Sequence, residues 1–78
     1  MADKSHKVEV IMEGERWVVA ELNGKVTFHR GGTQIGTAKW DEDGDQFIGM
    51  STTAVPDNVV GRLERELKKR IEEERYKD

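Results

Sequence analysis

Residues 7–30 read KVEVIMEGERWVVAELNGKVTFHR, and the reading of this stretch decides the fold. Val8, Val10 and Met12 recur at every second position, the period of a strand with one strongly apolar face. Gly14-Glu15 then fits a two-residue type II′ turn, with glycine at the position that needs positive φ. Arg16 to Leu22 makes a second strand, Asn23-Gly24 is a strong type I′ hairpin signal, and Lys25 to Arg30 makes a third. The two turns test each other, because residues directly opposite in an antiparallel pair project to the same face. The first pairs Met12 with Trp17, Val10 with Val19 and Val8 with Glu21. The second pairs Val19 with Phe28, Glu21 with Val26 and Trp17 with Arg30. Both gather Val8, Val10, Met12, Trp17, Val19, Val26 and Phe28 on one face, with Glu21 and Arg30 as polar members near its ends. That face is the expected core. The opposite face carries Glu9, Ile11, Val18, Ala20, Leu22, Lys25, Thr27 and His29 and is mixed.

Further along, Gln34 to Trp40 and Gln46 to Met50 form a fourth and a fifth strand joined at Asp43-Gly44, which sets Trp40 opposite Phe47 and Lys39 opposite Ile48. The link before them has two solutions, since Gly31-Gly32 makes a two-residue turn alone or a three-residue turn with Thr33, and a one-residue slip exchanges the faces. The shorter turn sends Ile35, Ile48 and Met50 to the core and leaves Trp40 and Phe47 outward as part of a binding platform. The longer turn puts the aromatics in the core. The shorter turn is preferred.

After a short linker at Ser51-Thr52-Thr53-Ala54, Val55-Pro56 suits a helix entry and Asp57 an N-cap, so a helix is expected from about Asn58 to about Arg75. Val60, Leu63, Leu67 and Ile71 make one narrow stripe, with Val59 beside its first turn. Glu64 with Lys68, Glu66 with Arg70 and Glu73 with Lys77 stand four apart on the charged remainder. Gly61, costly in mid-helix, suggests close approach of the helix backbone to the sheet. Such a helix is ~27 Å long against ~20 Å for a six-residue strand. Twist of the sheet beneath it favours burial of Leu67 and Ile71; an overrun would instead present them to a second copy of the chain or to a partner.

The expected architecture is therefore α+β: an antiparallel β-meander of four to five strands packed by one C-terminal α-helix. It forms a single domain over residues 7–76, with flexible termini at 1–6 and 77–78. A chain of 78 residues has room for one thin core, and without cysteine that core has neither disulfide nor thiolate-bound metal to staple it. Absence of cysteine also suits a reducing cytoplasm, and no apolar run approaches the ~18 residues of a spanning helix, so no membrane association is expected. The net charge of −3 includes an acidic knot at Asp41, Glu42, Asp43 and Asp45, while the helical segment is balanced. Nothing here is a basic footprint for phosphates, which ranks nucleic acid below protein as a partner.

Little in the chain carries covalent chemistry. Asp41, Asp43 and Asp45 alternate as calcium ligands do, but the sixth-position glycine and twelfth-position glutamate of an EF-hand loop are absent, which favours a solvated turn. Gly31-Gly32 and Gly36 lack the helix and the Gly-Lys-Ser/Thr ending of a phosphate loop. His6 falls in an expected frayed terminus and His29 on the mixed face, too few ligands for a metal site. No nucleophile stands at a spacing that suggests a base beside it, and so small a core hardly accommodates a deep cleft. The chain is expected not to be an enzyme, and neither cofactor nor metal is expected.

The leading functional expectation is a small protein-interaction or regulatory domain, with Trp40, Phe47, His29 and Lys25 as binding candidates on the sheet. Leu67 and Ile71 on the helix are candidates for a homodimer or partner contact. Short acidic, cysteine-free domains of this kind are common among phage-encoded inhibitors of host machinery, anti-CRISPR proteins included. A second expectation is a single-stranded nucleic-acid binder, in which Trp40, Phe47 and His29 stack on bases while Lys25, Lys39 and Arg30 meet phosphates. A small ligand-binding domain or hydrolase is the third.

Overall fold

The computed structural model describes residues 5–52 and 55–76. Five strands, β1 (Ser5–Met12), β2 (Glu15–Leu22), β3 (Lys25–Arg30), β4 (Thr33–Asp41) and β5 (Gln46–Thr52), pair antiparallel in chain order, and one helix, α1 (Asp57–Tyr76), packs on one face. The fold is an α+β meander. Val8, Val10, Trp17, Val19, Val26 and Phe28 are all buried on that face, as alternation requires, and Met12 packs partly buried against them.

The first turn differs from expectation. It consists of Glu13-Gly14, both at positive φ (54° and 75°), a type I′ pair whose twist suits a hairpin, rather than Gly14-Glu15. Met12 therefore faces Glu15, Val10 faces Trp17 and Val8 faces Val19. A two-residue shift preserves the face of every side chain, so the core set is unchanged. What changes is the partner of Glu21, which now lies opposite His6 instead of Val8. β1 starts at Ser5, and His6 belongs to the strand rather than to a frayed end. His6 Nδ1 donates to Glu21 Oε1 at 2.7 Å, while Glu21 Oε2 accepts the Gly24 N–H at 2.7 Å. The one buried carboxylate among the described residues thus ties β1 to the β2–β3 turn. At the other end of the core, the Trp17 indole N–H donates to the Met12 carbonyl at 3.1 Å and Arg30 lies 6.0 Å from the ring centroid.

The Asn23-Gly24 turn gives the expected register, with Val19 opposite Phe28 and Trp17 opposite Arg30. Gly31-Gly32 makes the shorter turn, setting Arg30 opposite Thr33 and His29 opposite Gln34. The expected consequence does not follow, because Ile35 is an extra residue in the ladder and Phe28 pairs with Gly36. This bulge resets the alternation of β4. Gly36, Ala38 and Trp40 turn to the core side, Trp40 pairs with Phe47, and both aromatics are buried at 7% and 6% exposure. The outward placement of Trp40 and Phe47 is thereby corrected, as is the core placement of Ile48 and Met50, which are exposed. A second irregularity sets Ala38 of β4 against Gly49 and Met50 of β5, with Gly49 at φ 60°.

Small residues on β4 let the sheet close over itself. A Cβ at Gly36 would sit 2.7 Å from Thr52 Cβ and 2.8 Å from the Ser51 carbonyl oxygen, so glycine is required where β5 folds across. Above that floor Phe28 of β3 meets Phe47 of β5 edge to face, with centroids 5.0 Å apart, and Phe47 meets Trp40 at 5.3 Å.

The helix contacts β1, β2 and β5 and fills the gap between the two edge strands. Val59, Leu63 and Leu67 are buried and Val60 and Ile71 partly so, which rotates the stripe slightly from the expected one. The first helical hydrogen bond runs from the Val60 N–H to the Pro56 carbonyl, so Pro56 occupies the capping position and Asp57 the first turn, favourably placed for the helix dipole. Leu67 is fully buried and so is not a surface for a second copy; the curling sheet reaches beneath it. No atom lies within 4 Å of a Cβ built at Gly61, so the expected close backbone approach is absent there. The expected pairs of Glu64 with Lys68 and Glu66 with Arg70 are replaced by Arg62 with Glu66 and by Lys68 with Asp45 and Glu72; Glu73 with Lys77 lies outside the described residues. Helix side chains also reach both sheet edges. Arg70 Nη2 donates to the Lys7 carbonyl at 3.2 Å, and Glu64 Oε2 accepts the Phe47 N–H at 2.9 Å. Each occupies a strand-edge group that could otherwise template aggregation.

Candidate functional site

The face of the sheet turned away from α1 has no covering element among the described residues. Its side chains follow from the registers. One row across all five strands is Ser5, Leu22, Lys25, Lys39 and Ile48; the next is Lys7, Ala20, Thr27, Thr37 and Ser51. Glu9, Val18, His29 and Gln34 make a third row, and Ile11 with Arg16 closes the face. With Asp41 it holds four basic and two acidic side chains, so this face is net positive on a chain of charge −3. Arg16 and Glu9 engage each other at 3.6 Å, and the Asp41 carboxylate accepts the Asp43 N–H at 3.1 Å, an Asx-type turn. That leaves Lys7, Lys25 and Lys39 without an acidic partner among the described residues.

Two depressions adjoin along β2. One, of about 310 Å³, is lined by Lys7, Glu9, Arg16, Val18, Ala20 and His29. The other, of about 380 Å³, is lined by Ser5, Ala20, Glu21, Leu22, Lys25 and Thr27. They share Ala20, whose single methyl makes a low saddle between Lys7 of β1 and Thr27 of β3. Val18 is 6% exposed although it lies on the outer face, between its cross-strand neighbours Glu9 and His29. Leu22 is 44% exposed. The arrangement is a shallow trough with an apolar floor and cationic rims. On the β3 wall, Thr27 Oγ1 and His29 Nε2 are 3.0 Å apart and fix each other's orientation.

Of the residues singled out from the sequence, Lys25 and His29 lie on this trough. Trp40, Phe47 and Leu67 are in the core, and Ile71 packs against its margin. Lys7, Ala20 and Leu22 complete the trough. The period-two pattern already placed Ala20 and Leu22 on this side, and Lys7 follows from Glu9 by parity. No group of three side chains able to hold a metal ion converges among the described residues. No helix among them is long and apolar enough to cross a membrane. Comparison of the chain with protein-family models, with curated proteins and with solved structures returned no match.

Proposed function

We propose that this chain is a small non-enzymatic protein-binding domain that works through the open face of its sheet. The observation that carries the reading is the trough along β2, where Leu22 stays exposed beside an apolar floor on the face of the sheet that α1 does not cover. Binding without catalysis is what such a surface suits. It is too shallow to exclude water from a reacting bond, and its titratable groups are spread along rims rather than converging on one point. The cysteine-free composition fits a reducing compartment, and we assign the domain to the cytoplasm. A regulator that occludes a surface of a larger complex, as phage-type inhibitors do, is the narrower form of this reading.

The single-stranded nucleic-acid reading loses its principal support. Base stacking needs exposed rings, and Trp40 and Phe47 are packed against Phe28 inside. Site-specific photocrosslinking in the native cell tests the proposal. A photoreactive residue at Thr27, in the trough, should yield a discrete protein adduct, whereas the same residue at Arg65 on the exposed side of α1 should not. Adducts from position 65 alone would move the binding surface to the helix.

A further inference from the structure

The trough also constrains the chemistry of what it holds. Lys25 lies directly across the β3–β4 ladder from Lys39, an arrangement that works against the fold because like charges directly opposite repel. Neither lysine has an acidic partner among the described residues, although the chain as a whole is acidic. Lys7 rises from the other wall of the same trough, one row along. Lys7 and Lys25 thus border the trough on opposite walls, Lys39 stands one strand beyond Lys25, and nothing described in the chain neutralises these lysines.

A bare polyanion would satisfy the charges and leave Leu22 and the floor at Ala20 facing phosphate and water. A purely apolar segment would bury Leu22 at the cost of desolvating lysines without a counter-charge. Resting on the protein-binding reading above, we infer that the trough takes an extended, acidic segment of a partner protein carrying at least one large apolar side chain. The apolar side chain enters the depression of about 380 Å³ between Ala20 and Leu22, and carboxylates on the same segment meet Lys7 and Lys25 on opposite rims. The trough follows a strand, so an extended chain lying along it would set side chains two residues apart at ~6.6–6.8 Å spacing. Charge complementarity of this kind governs encounter rate and orientation, and the apolar contact governs residence.

The test is selection of a random nine-residue peptide library on the intact chain, followed by titration of the best synthetic peptides into isotope-labelled protein observed by NMR. Enriched peptides should contain Asp or Glu together with Leu, Ile, Phe or Trp, and shift changes should cluster at Lys7, Ala20, Leu22 and Lys25. Reversal of both lysines, Lys7→Glu with Lys25→Glu, should weaken binding at least about tenfold. Should that variant fail to fold, Lys7→Gln with Lys25→Gln keeps the side-chain length and removes the charge, with the same expectation. Peptides that bind in the trough without acidic enrichment, and indifferent to either variant, would overturn the acidic partner while leaving the docking face intact. Absence of any enriched peptide, or shifts confined to α1, would overturn both. Displacement of the peptides by an equal-length oligothymidylate at comparable affinity would assign the lysines to phosphate and overturn the inference.

Discussion

The two ends of the sheet are built on different rules. From β1 to β3 the ladders run unbroken between type I′ turns, and every second side chain keeps its face from one end of a strand to the other. From β3 to β5 each ladder contains an irregularity, at Ile35 and then at Gly49-Met50, and each resets the alternation of its strand. The regular end supplies the flat ground on which the trough lies. The irregular end bends, and only by bending can Phe47 reach Phe28, two strands away, and the Phe47 N–H reach Glu64 on the helix. Regularity makes a surface here, and interruption makes closure.

Phe28 belongs to both ends, so its removal is the harshest way to break the contrast. Its ring is almost fully buried between Val19 and Val26 of the regular end and Phe47 of the irregular end. Phe28→Ala should cost about 3–5 kcal/mol, most of the stability of so small a domain. Calorimetry should show a midpoint lowered by at least ~12 °C. A change of only a few degrees would contradict the packing described.

Gly36 tests the bend alone. Gly36→Ala places a methyl against Thr52 and the Ser51 carbonyl, and β5 has to move away at a cost of about 1–3 kcal/mol. Gly32→Ala is the matched control. A Cβ at Gly32 meets nothing within 4 Å and its φ lies outside the left-handed range, so a change within about 0.5 kcal/mol is expected. Denaturant melts of the pair should differ clearly, and equal melts would mean that β4 and β5 are not in the close contact described.

The same contrast explains what could be read in advance. Glycine turns and strict alternation made the regular end legible, and even a first turn misplaced by one residue, which shifts the pairing by two, left every face correct, because alternation has period two. The bulge at Ile35 is marked only by the glycine that follows it inside the strand, Gly36, and one extra residue was enough to exchange the faces of Trp40 and Phe47. Gly49 carried the same signal, for glycine inside a strand often marks a bulge. Lys25 and His29 of the candidate site came from parity. The trough itself depends on how side chains of different length stand around Ala20 and Val18, which no periodicity encodes. Burial of Leu67 likewise depends on the curl of the sheet rather than on helix length.

Gly61 sits outside that contrast and calibrates it. It lies in α1 with nothing within 4 Å of a Cβ built on it and with φ outside the left-handed range, so the close approach inferred from its identity is not there. Gly61→Ala should raise stability by about 0.4–1 kcal/mol through helix propensity and a less flexible unfolded chain. Chemical denaturation checks it, and a loss of stability would show that the helix seats closer to the sheet than described.

The smallest expected effect lies at the seam between the two ends, where Lys25 of β3 faces Lys39 of β4. Lys25→Glu turns a like pair into an opposite pair. Both side chains are exposed, so the gain should be roughly 0.2–0.5 kcal/mol, in the lower part of the cross-strand range. Lys39→Glu should give a similar gain, because the two changes act on one interaction. Combining them restores a like-charge pair and should return stability close to the wild-type value, a non-additivity that distant sites do not show. Raising the salt from 0.1 M to 1 M shortens the screening length from ~10 Å to ~3 Å and should erase the gain of each single variant. Denaturant midpoints of the four proteins at both salt concentrations make the measurement. Additive gains in the double variant would mean that the lysines do not face each other, whereas cancellation would confirm that the fold tolerates a repulsion at the rim of its own open face.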